Sequence, residues 1–141
     1  MSGTTSGLEP APTPETEPFW AGTRAGELRI QYCRACARYY FYPRPFCRYC
    51  RSPDVEWRRV SGRARLVSYI VNYRPVPPTA TGRPQVIALV ELEEGPRMLT
   101  NIVGAGPEPE SLPLDAAVSV EFEPRGEQVL PVFRPDESAT A

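Results

Sequence analysis

Four cysteines fall in two pairs, Cys33-x2-Cys36 and Cys47-x2-Cys50, ten residues apart, and the chain has no other cysteine. This spacing limits the possible folds more than any other feature. Each C-x2-C turn can place two sulfurs on one side of an ion, and zinc takes four thiolates tetrahedrally at about 2.3 Å. Four cysteines with no fifth ligand make a closed site, which is structural rather than catalytic. The ligand set by itself also suits a rubredoxin-like iron. The competing reading is a pair of redox dithiols. Arg34, Arg38, Arg48 and Arg51 lie within or beside the two turns. They can offset the −2 charge that four thiolates and one dication leave.

The sequence has no apolar run of transmembrane length and no basic-then-apolar leader. The cytoplasm is therefore the expected compartment, where thiols stay reduced and paired cysteines hold metal.

All 16 basic residues are Arg, with no Lys and no His. That removes the commonest general base, the Schiff-base amine and the P-loop lysine. Free-standing catalysis is not expected. The acidic pair Glu93 and Glu94 reads as solvated charge at a hairpin end, not as an acid–base dyad.

Charge is unevenly placed. Residues 1–23 hold three acids and no base; residues 24–65 hold eleven Arg against Glu27, Asp54 and Glu56; residues 66–141 hold five Arg against eleven acids. The net −1 thus conceals segments of −3, +8 and −6. Such asymmetry points to partners rather than to fold.

The 18 prolines argue against long helices. Residues 1–17, rich in Pro, Thr, Ser, Gly and Glu, read as a disordered tail or an interdomain linker. A short helix is expected from Thr16 to Ala25, with Thr16 as cap, Pro18 in the first turn and Gly26 as terminator. The helix and ribbon are expected to span 18–54, a β-barrel 55–135, and a tail 136–141. Strand patterns cover Glu27–Tyr32, Val55–Val60, Arg63–Tyr73, Gln85–Glu93, Arg97–Val103, Ala117–Glu123 and Gln128–Phe133. In Ala117–Glu123 the alternation is clean, with Val118, Val120 and Phe122 on one face. Hairpin turns fall at Glu94-Gly95-Pro96 and Arg125-Gly126. The set is mainly β and fits a small OB-type barrel, with a β-sandwich as the alternative.

Residues 32–65 interleave Arg with Tyr and Phe side chains and Trp57. Three uses compete: a single-stranded nucleic-acid surface, a site for a phosphate-bearing cofactor such as coenzyme A, or a docking face for an acidic protein. The acidic barrel segment would repel a nucleic-acid strand, which ranks that use last. Trp57, Arg58, Arg59, Arg63 and Arg65, at the ribbon-to-barrel junction, are the candidate coenzyme A contacts. Phe19, Trp20, Tyr40 and Tyr42 are the candidate partner-interface residues, with packing on the chain's own body as the alternative for Phe19 and Trp20.

Several segments together resemble a known family: PFW near residue 18, GELRIQYC, YYFYPRPFC, VEWRRVSGRARLVSYIVNYRP, VIALVELEEGPRMLTNIVG and the closing LPVFRP. Over about residues 18–135 the chain is similar to zinc-ribbon plus OB-fold proteins associated with acyl-CoA metabolism. The resemblance implies an N-terminal helical segment, a rubredoxin-like ribbon and an OB barrel, with Cys33, Cys36, Cys47 and Cys50 as metal ligands. It implies an accessory subunit of a thiolase-superfamily enzyme, either a thiolase or a lipid-transfer-protein-like aldolase, including those that shorten steroid side chains. Some relatives are fused behind a MaoC-like hydratase domain. The resemblance assigns no catalytic residue to this subunit.

Overall fold

The computed structural model describes residues 10–75, 84–106 and 108–136. Most of the expected 1–17 tail and all but Asp136 of the 136–141 tail lie outside these residues. The order is α1 (Glu17–Arg24), β1 (Leu28–Cys33), β2 (Arg38–Tyr40), β3 (Val55–Val60), β4 (Arg63–Asn72), β5 (Gln85–Leu92), β6 (Arg97–Ile102), a 3-10 turn (Pro109–Ser111), β7 (Ala117–Arg125) and β8 (Gln128–Pro135).

The helix forms where its punctuation places it. Pro18 sits in its first turn, where a missing N–H costs nothing. Gly26, at φ +78°, ends it, and the Glu27 N–H returns to the Gly22 carbonyl at 2.8 Å. Thr16 precedes the helix, but its side chain makes no cap bond. It turns back to the Thr13 N–H at 2.9 Å instead.

Two sheets follow. A three-stranded antiparallel sheet in the order β2-β1-β3 carries the cysteine turns. Val55–Val60 pairs along β1, from Cys33↔Val55 to Leu28↔Val60. By hydrogen bonding this strand belongs to the ribbon's sheet, and the barrel starts at Arg63. Its propensity alone could not choose between the two, because either sheet offers it an apolar face.

The remaining five strands close a barrel in the order β4-β5-β6-β8-β7. In barrel numbering this is 1-2-3-5-4, closed on strand 1, with one parallel contact at Ile102↔Phe133. That is OB topology, so the barrel holds and the sandwich alternative does not. A bulge between Leu66 and Ser68 bends β4, which lets its first residues pair with β7 as well as β5.

Inward positions alternate as the pleat requires: Val86, Ala88, Val90 and Leu92 from β5 with Met98 and Ile102 from β6. Phe19, Leu28, Ile30 and Val60 join Leu66, Val118 and Phe133 in the same cluster. The ribbon's sheet and the barrel therefore share one continuous core. Among the described residues no helix is long and apolar enough to cross a membrane.

Candidate metal centre and surrounding surfaces

The first cysteine turn leaves the end of β1, and the second follows the loop after β2. Each begins with a buried cysteine, Cys33 or Cys47. The two turns repeat one local geometry. Ala37 N–H bonds to Cys33 O at 2.8 Å, and Arg51 N–H to Cys47 O at 2.9 Å. Ala37 (φ +59°) and Arg51 (φ +64°), each just after the second cysteine of its turn, both adopt the left-handed region. Neither is glycine, so the sequence carried no signal of it.

The four sulfurs lie within 4.8 Å of one another. Cys33 Sγ is 3.5 Å from Cys50 Sγ, and Cys36 Sγ is 3.6 Å from Cys47 Sγ. A tetrahedron with Zn–S bonds of about 2.3 Å spaces its sulfurs about 3.8 Å apart, so the set fits a structural zinc. Backbone N–H groups aim at the sulfurs as well: Cys36 N–H at Cys33 Sγ, 3.4 Å, and Tyr49 N–H at Cys47 Sγ, 3.3 Å. Such donors favour thiolate. Among the bare thiols, burial pushes Cys36 up to about 12, and hydrogen bonding with the neighbouring sulfurs adds to it. At Cys47 the effect of burial is outweighed by the N–H groups of Cys50 and Tyr49, and the thiol falls to about 6. Bound zinc would hold all four as thiolates.

Tyr40 is fully buried beside Cys33 and Cys47, and its hydroxyl donates to the Arg44 carbonyl at 3.1 Å. It supports the metal loop and offers no surface to a partner, contrary to the expectation for that residue. Phe19 is likewise buried, as its packing alternative required. It meets Trp20 edge-on, with ring centroids 4.9 Å apart. Trp20 and Tyr42 are different. They line a groove of about 630 Å³ with Phe41, Ile87, Leu89 and Leu99. Tyr42 is 58% exposed and Leu99 72%. Leu89 and Leu99 sit opposite each other across β5 and β6. The signal for this groove was in the sequence: Gln85–Leu92 carries apolar residues on both faces, Ile87 and Leu89 pointing out of the barrel. A strand with only one face in a core would alternate.

The junction residues proposed for coenzyme A are largely occupied. Arg58 stacks over the Tyr32 ring at 3.6 Å and pairs with Glu56. Arg59 pairs with Glu27 at 3.8 Å. Arg63 grips Glu93 through two bonds of 3.0 and 3.2 Å. Arg65 reaches Glu91 at 3.3 Å and also Asp115. Trp57 packs against the core. Glu93 and Glu94 have structural partners, Glu94 accepting the Ser61 N–H at 2.9 Å. Glu93, exposed at the hairpin end, fits the solvated-charge reading, whereas Glu94 does not, because its Oε1 is buried without a hydrogen-bond partner among the described residues.

Unpaired cations lie elsewhere. Among the described residues, Arg38, Arg44, Arg48, Arg51 and Arg74 make no salt bridge. The first four belong to the ribbon's cysteine end, and Arg74 follows β4. Arg38 and Arg48 lie over the Tyr49 ring at 4.6 and 5.5 Å. The sequence tied Arg38, Arg48 and Arg51 to the metal charge and placed Phe46 among the rings interleaved with Arg over residues 32–65, but gave no separate role to Arg44.

Comparison with known proteins agrees with this architecture. A family model described as "ChsH2, rubredoxin-like zinc ribbon domain" matches residues 20–56. A second, "ChsH2, C-terminal OB-fold domain", matches residues 57–123. A solved chain described as "Ltp2-ChsH2(DUF35) aldolase" superposes with a TM-score of 0.79 at 35% identity, covering 90% of this chain and 98% of that one. A "Probable enoyl-CoA hydratase alpha subunit" of Thermomonospora curvata is 39% identical over 119 residues, 83% of this chain and 36% of that protein. The "3-oxo-4,17-pregnadiene-20-carboxyl-CoA hydratase alpha subunit" of Mycobacterium tuberculosis is 40% identical over 100 residues, 71% of this chain and 32% of that protein. The chain thus spans about a third of the length of these curated relatives.

Proposed function

The chain belongs to the ChsH2 zinc-ribbon and OB-fold family (DUF35), and from that premise we propose that it is a non-catalytic accessory subunit. Its partner would be a thiolase-superfamily enzyme, a thiolase or a lipid-transfer-protein-like aldolase, acting on carbon–carbon bonds of an acyl-CoA. The observation that carries this reading is the near-complete superposition on a chain of the structure described as "Ltp2-ChsH2(DUF35) aldolase". The chemistry of the chain supports it. The metal site is closed by four sulfurs and offers no position to a substrate. His and Lys are absent. The partner would then supply nucleophile and base, while this subunit contributes positioning and exclusion of water.

The groove between α1 and the outer face of β5 and β6 is the proposed partner face. Trp20 and Tyr42 bring the aromatic area that anchors protein interfaces, and Leu99 extends an apolar surface left exposed by the described residues. The hydratase alpha subunits among the relatives support a second association, with a MaoC-like hydratase domain. The pregnadiene-carboxyl-CoA name favours a steroid side-chain substrate.

Co-expression with a thiolase-superfamily protein encoded beside it tests the proposal. The expected result is a stoichiometric complex whose acyl-CoA cleavage or condensation needs both chains. Failure to co-purify, or thioester turnover by this polypeptide alone, would overturn it.

A further inference from the structure

The metal loop and the proposed partner groove share a wall. Tyr40, packed against Cys33 and Cys47, is the last residue of β2. Phe41 and Tyr42 follow it directly and line the groove. A second tie comes from inside the second cysteine turn. Arg48, between Cys47 and Cys50, donates to the Phe41 carbonyl at 3.1 Å. Phe41 meets Phe19 with ring centroids 5.7 Å apart and Tyr42 edge-on at 5.5 Å. The aromatic wall of the groove is therefore held from one side by the folded metal loop. Beneath the sulfurs the buried cluster is only Cys33, Tyr40 and Cys47. So small a core depends on its ion to keep its shape.

The four ligands are not equally protected. Cys33 and Cys47 are buried, Cys36 is partly exposed and Cys50 is exposed. Each accessible sulfur has a buried sulfur of the other turn close by: Cys50 with Cys33 at 3.5 Å, and Cys36 with Cys47 at 3.6 Å. Arg51 follows Cys50 directly, and Arg48 precedes it by two residues. Neither guanidinium has a carboxylate partner among the described residues. An accessible sulfur near uncompensated cations, with a second sulfur in reach, is the setting of an oxidation-sensitive cysteine. A purely structural centre has no need to leave one of its sulfurs open to solvent.

We propose that the metal centre is a redox-sensitive fastener: a peroxide joins Cys50 to Cys33, the metal is released, and the wall formed by Phe41 and Tyr42 loosens from the groove. Its chemistry stands on the sulfurs alone, and its consequence for docking rests on the partner face proposed above. The Cys50 sulfur attacks one peroxide oxygen, the O–O bond breaks, and hydroxide leaves toward the guanidiniums. The Cys33 sulfur then attacks the Cys50 sulfur. The S–O bond breaks, the S–S bond forms at about 2.0 Å, and a second hydroxide leaves. Two thiolates lose two electrons, and the peroxide gains them and takes two protons from solvent to give two waters. Cys36 and Cys47 react in the same way with a second peroxide. Removal of the first pair already leaves the ion only two of its four sulfurs.

Treatment of the zinc-loaded full chain with hydrogen peroxide tests it, with a metallochromic indicator reading zinc and peptide mass mapping reading disulfides. One zinc per chain should be released, with Cys33–Cys50 and Cys36–Cys47 disulfides, and dithiothreitol with added zinc should restore the site. Chymotryptic cleavage after Tyr40 and Phe41 should rise at least tenfold in the oxidised chain. Cleavage after Phe133, in the barrel core, should not. Arg48→Gln/Arg51→Gln should slow zinc release at least threefold. Arg63→Gln, which removes an ion-paired arginine, should leave the rate unchanged. If the double variant does not load zinc, Arg51→Gln alone decides. Zinc retained under peroxide, zinc lost without those disulfides, or equal rates in all variants overturns the proposal. So does unchanged cleavage after Tyr40 and Phe41. Partner co-purification is read separately. A reduced chain that binds no partner removes only the accessory role, and a complex that survives oxidation removes only the consequence for docking.

Discussion

The Tyr40 hydroxyl donates to the Arg44 carbonyl at 3.1 Å, so a fully buried ring in the small core beneath the sulfurs fixes the backbone that presents Arg44. Removing the hydroxyl in Tyr40→Phe leaves the ring's packing and orphans a part-buried carbonyl. The expected cost is about 1 kcal/mol, read as a lower denaturant midpoint for the zinc-loaded protein with its slope unchanged.

The metal centre is expected to hold one zinc per chain. Cys47→Ser should abolish stoichiometric zinc, measured by elemental analysis. It should also loosen the small cluster of Cys33, Tyr40 and Cys47. The larger core, which runs from Phe19 to Phe133, has its own apolar burial. The far-ultraviolet β signal of the barrel should therefore persist while the near-ultraviolet tyrosine signal falls.

Gly62 joins the ribbon's last strand to the barrel at φ +80°, and an added Cβ there would stand 2.4 Å from Val120 Cγ1. Both the backbone region and the space exclude a side chain. Gly62→Ala should destabilise by more than about 1 kcal/mol. Gly95 is also at positive φ, but a Cβ added there would meet nothing within 4 Å. It should lose less on the same substitution, as thermal unfolding would show.

Glu91 sits between two guanidiniums, Arg97 at 3.0 Å and Arg65 at 3.3 Å. The Arg97 hydrogen bond leads in holding its carboxyl below the ordinary value, against a smaller opposing effect of burial. The folded state therefore holds this proton less tightly than the unfolded chain. Its contribution is present above the unfolded value of about 4.3 and is lost as pH falls through the folded one. Glu91→Gln should flatten that part of the acid limb, measured by urea midpoints from pH 6 to pH 3.

Leu99, 72% exposed on the outer face of β6, tests the proposed partner groove. Leu99→Asp should change stability by no more than about 0.5 kcal/mol yet weaken partner binding at least tenfold in a pull-down or titration. Leu114→Asp, at a residue 62% exposed outside the groove, is the control and should bind as the parent does. Equal binding by all three proteins would remove the groove as the interface.

Much of this molecule is legible in its residues alone. Cysteine spacing named the four ligands, because two C-x2-C turns can close on one ion only in a few ways. Period-two alternation marked the strands, and glycine and proline marked the ends of α1 and the hairpins. The resemblance of several segments to zinc-ribbon and OB-fold proteins carried the family.

Neighbour choice was not readable. Val55–Val60 looked like barrel and joined the ribbon, because hydrogen-bond partners lie far away in sequence and either sheet would accept its pattern. Tyr40 and Tyr42 stand two residues apart in one aromatic run, yet one is buried under the sulfurs and the other lines an open groove. The arginines show the same division. Residues 57–65 and 44–51 are similarly basic in sequence, and only folding brought Glu27, Glu91, Glu93 and Asp115 to the first group and none to the second. Local patterning sets what a segment can become, since it acts through the chain's own period and turns. Whether a charge is spent or free depends on residues that tertiary structure alone brings within reach.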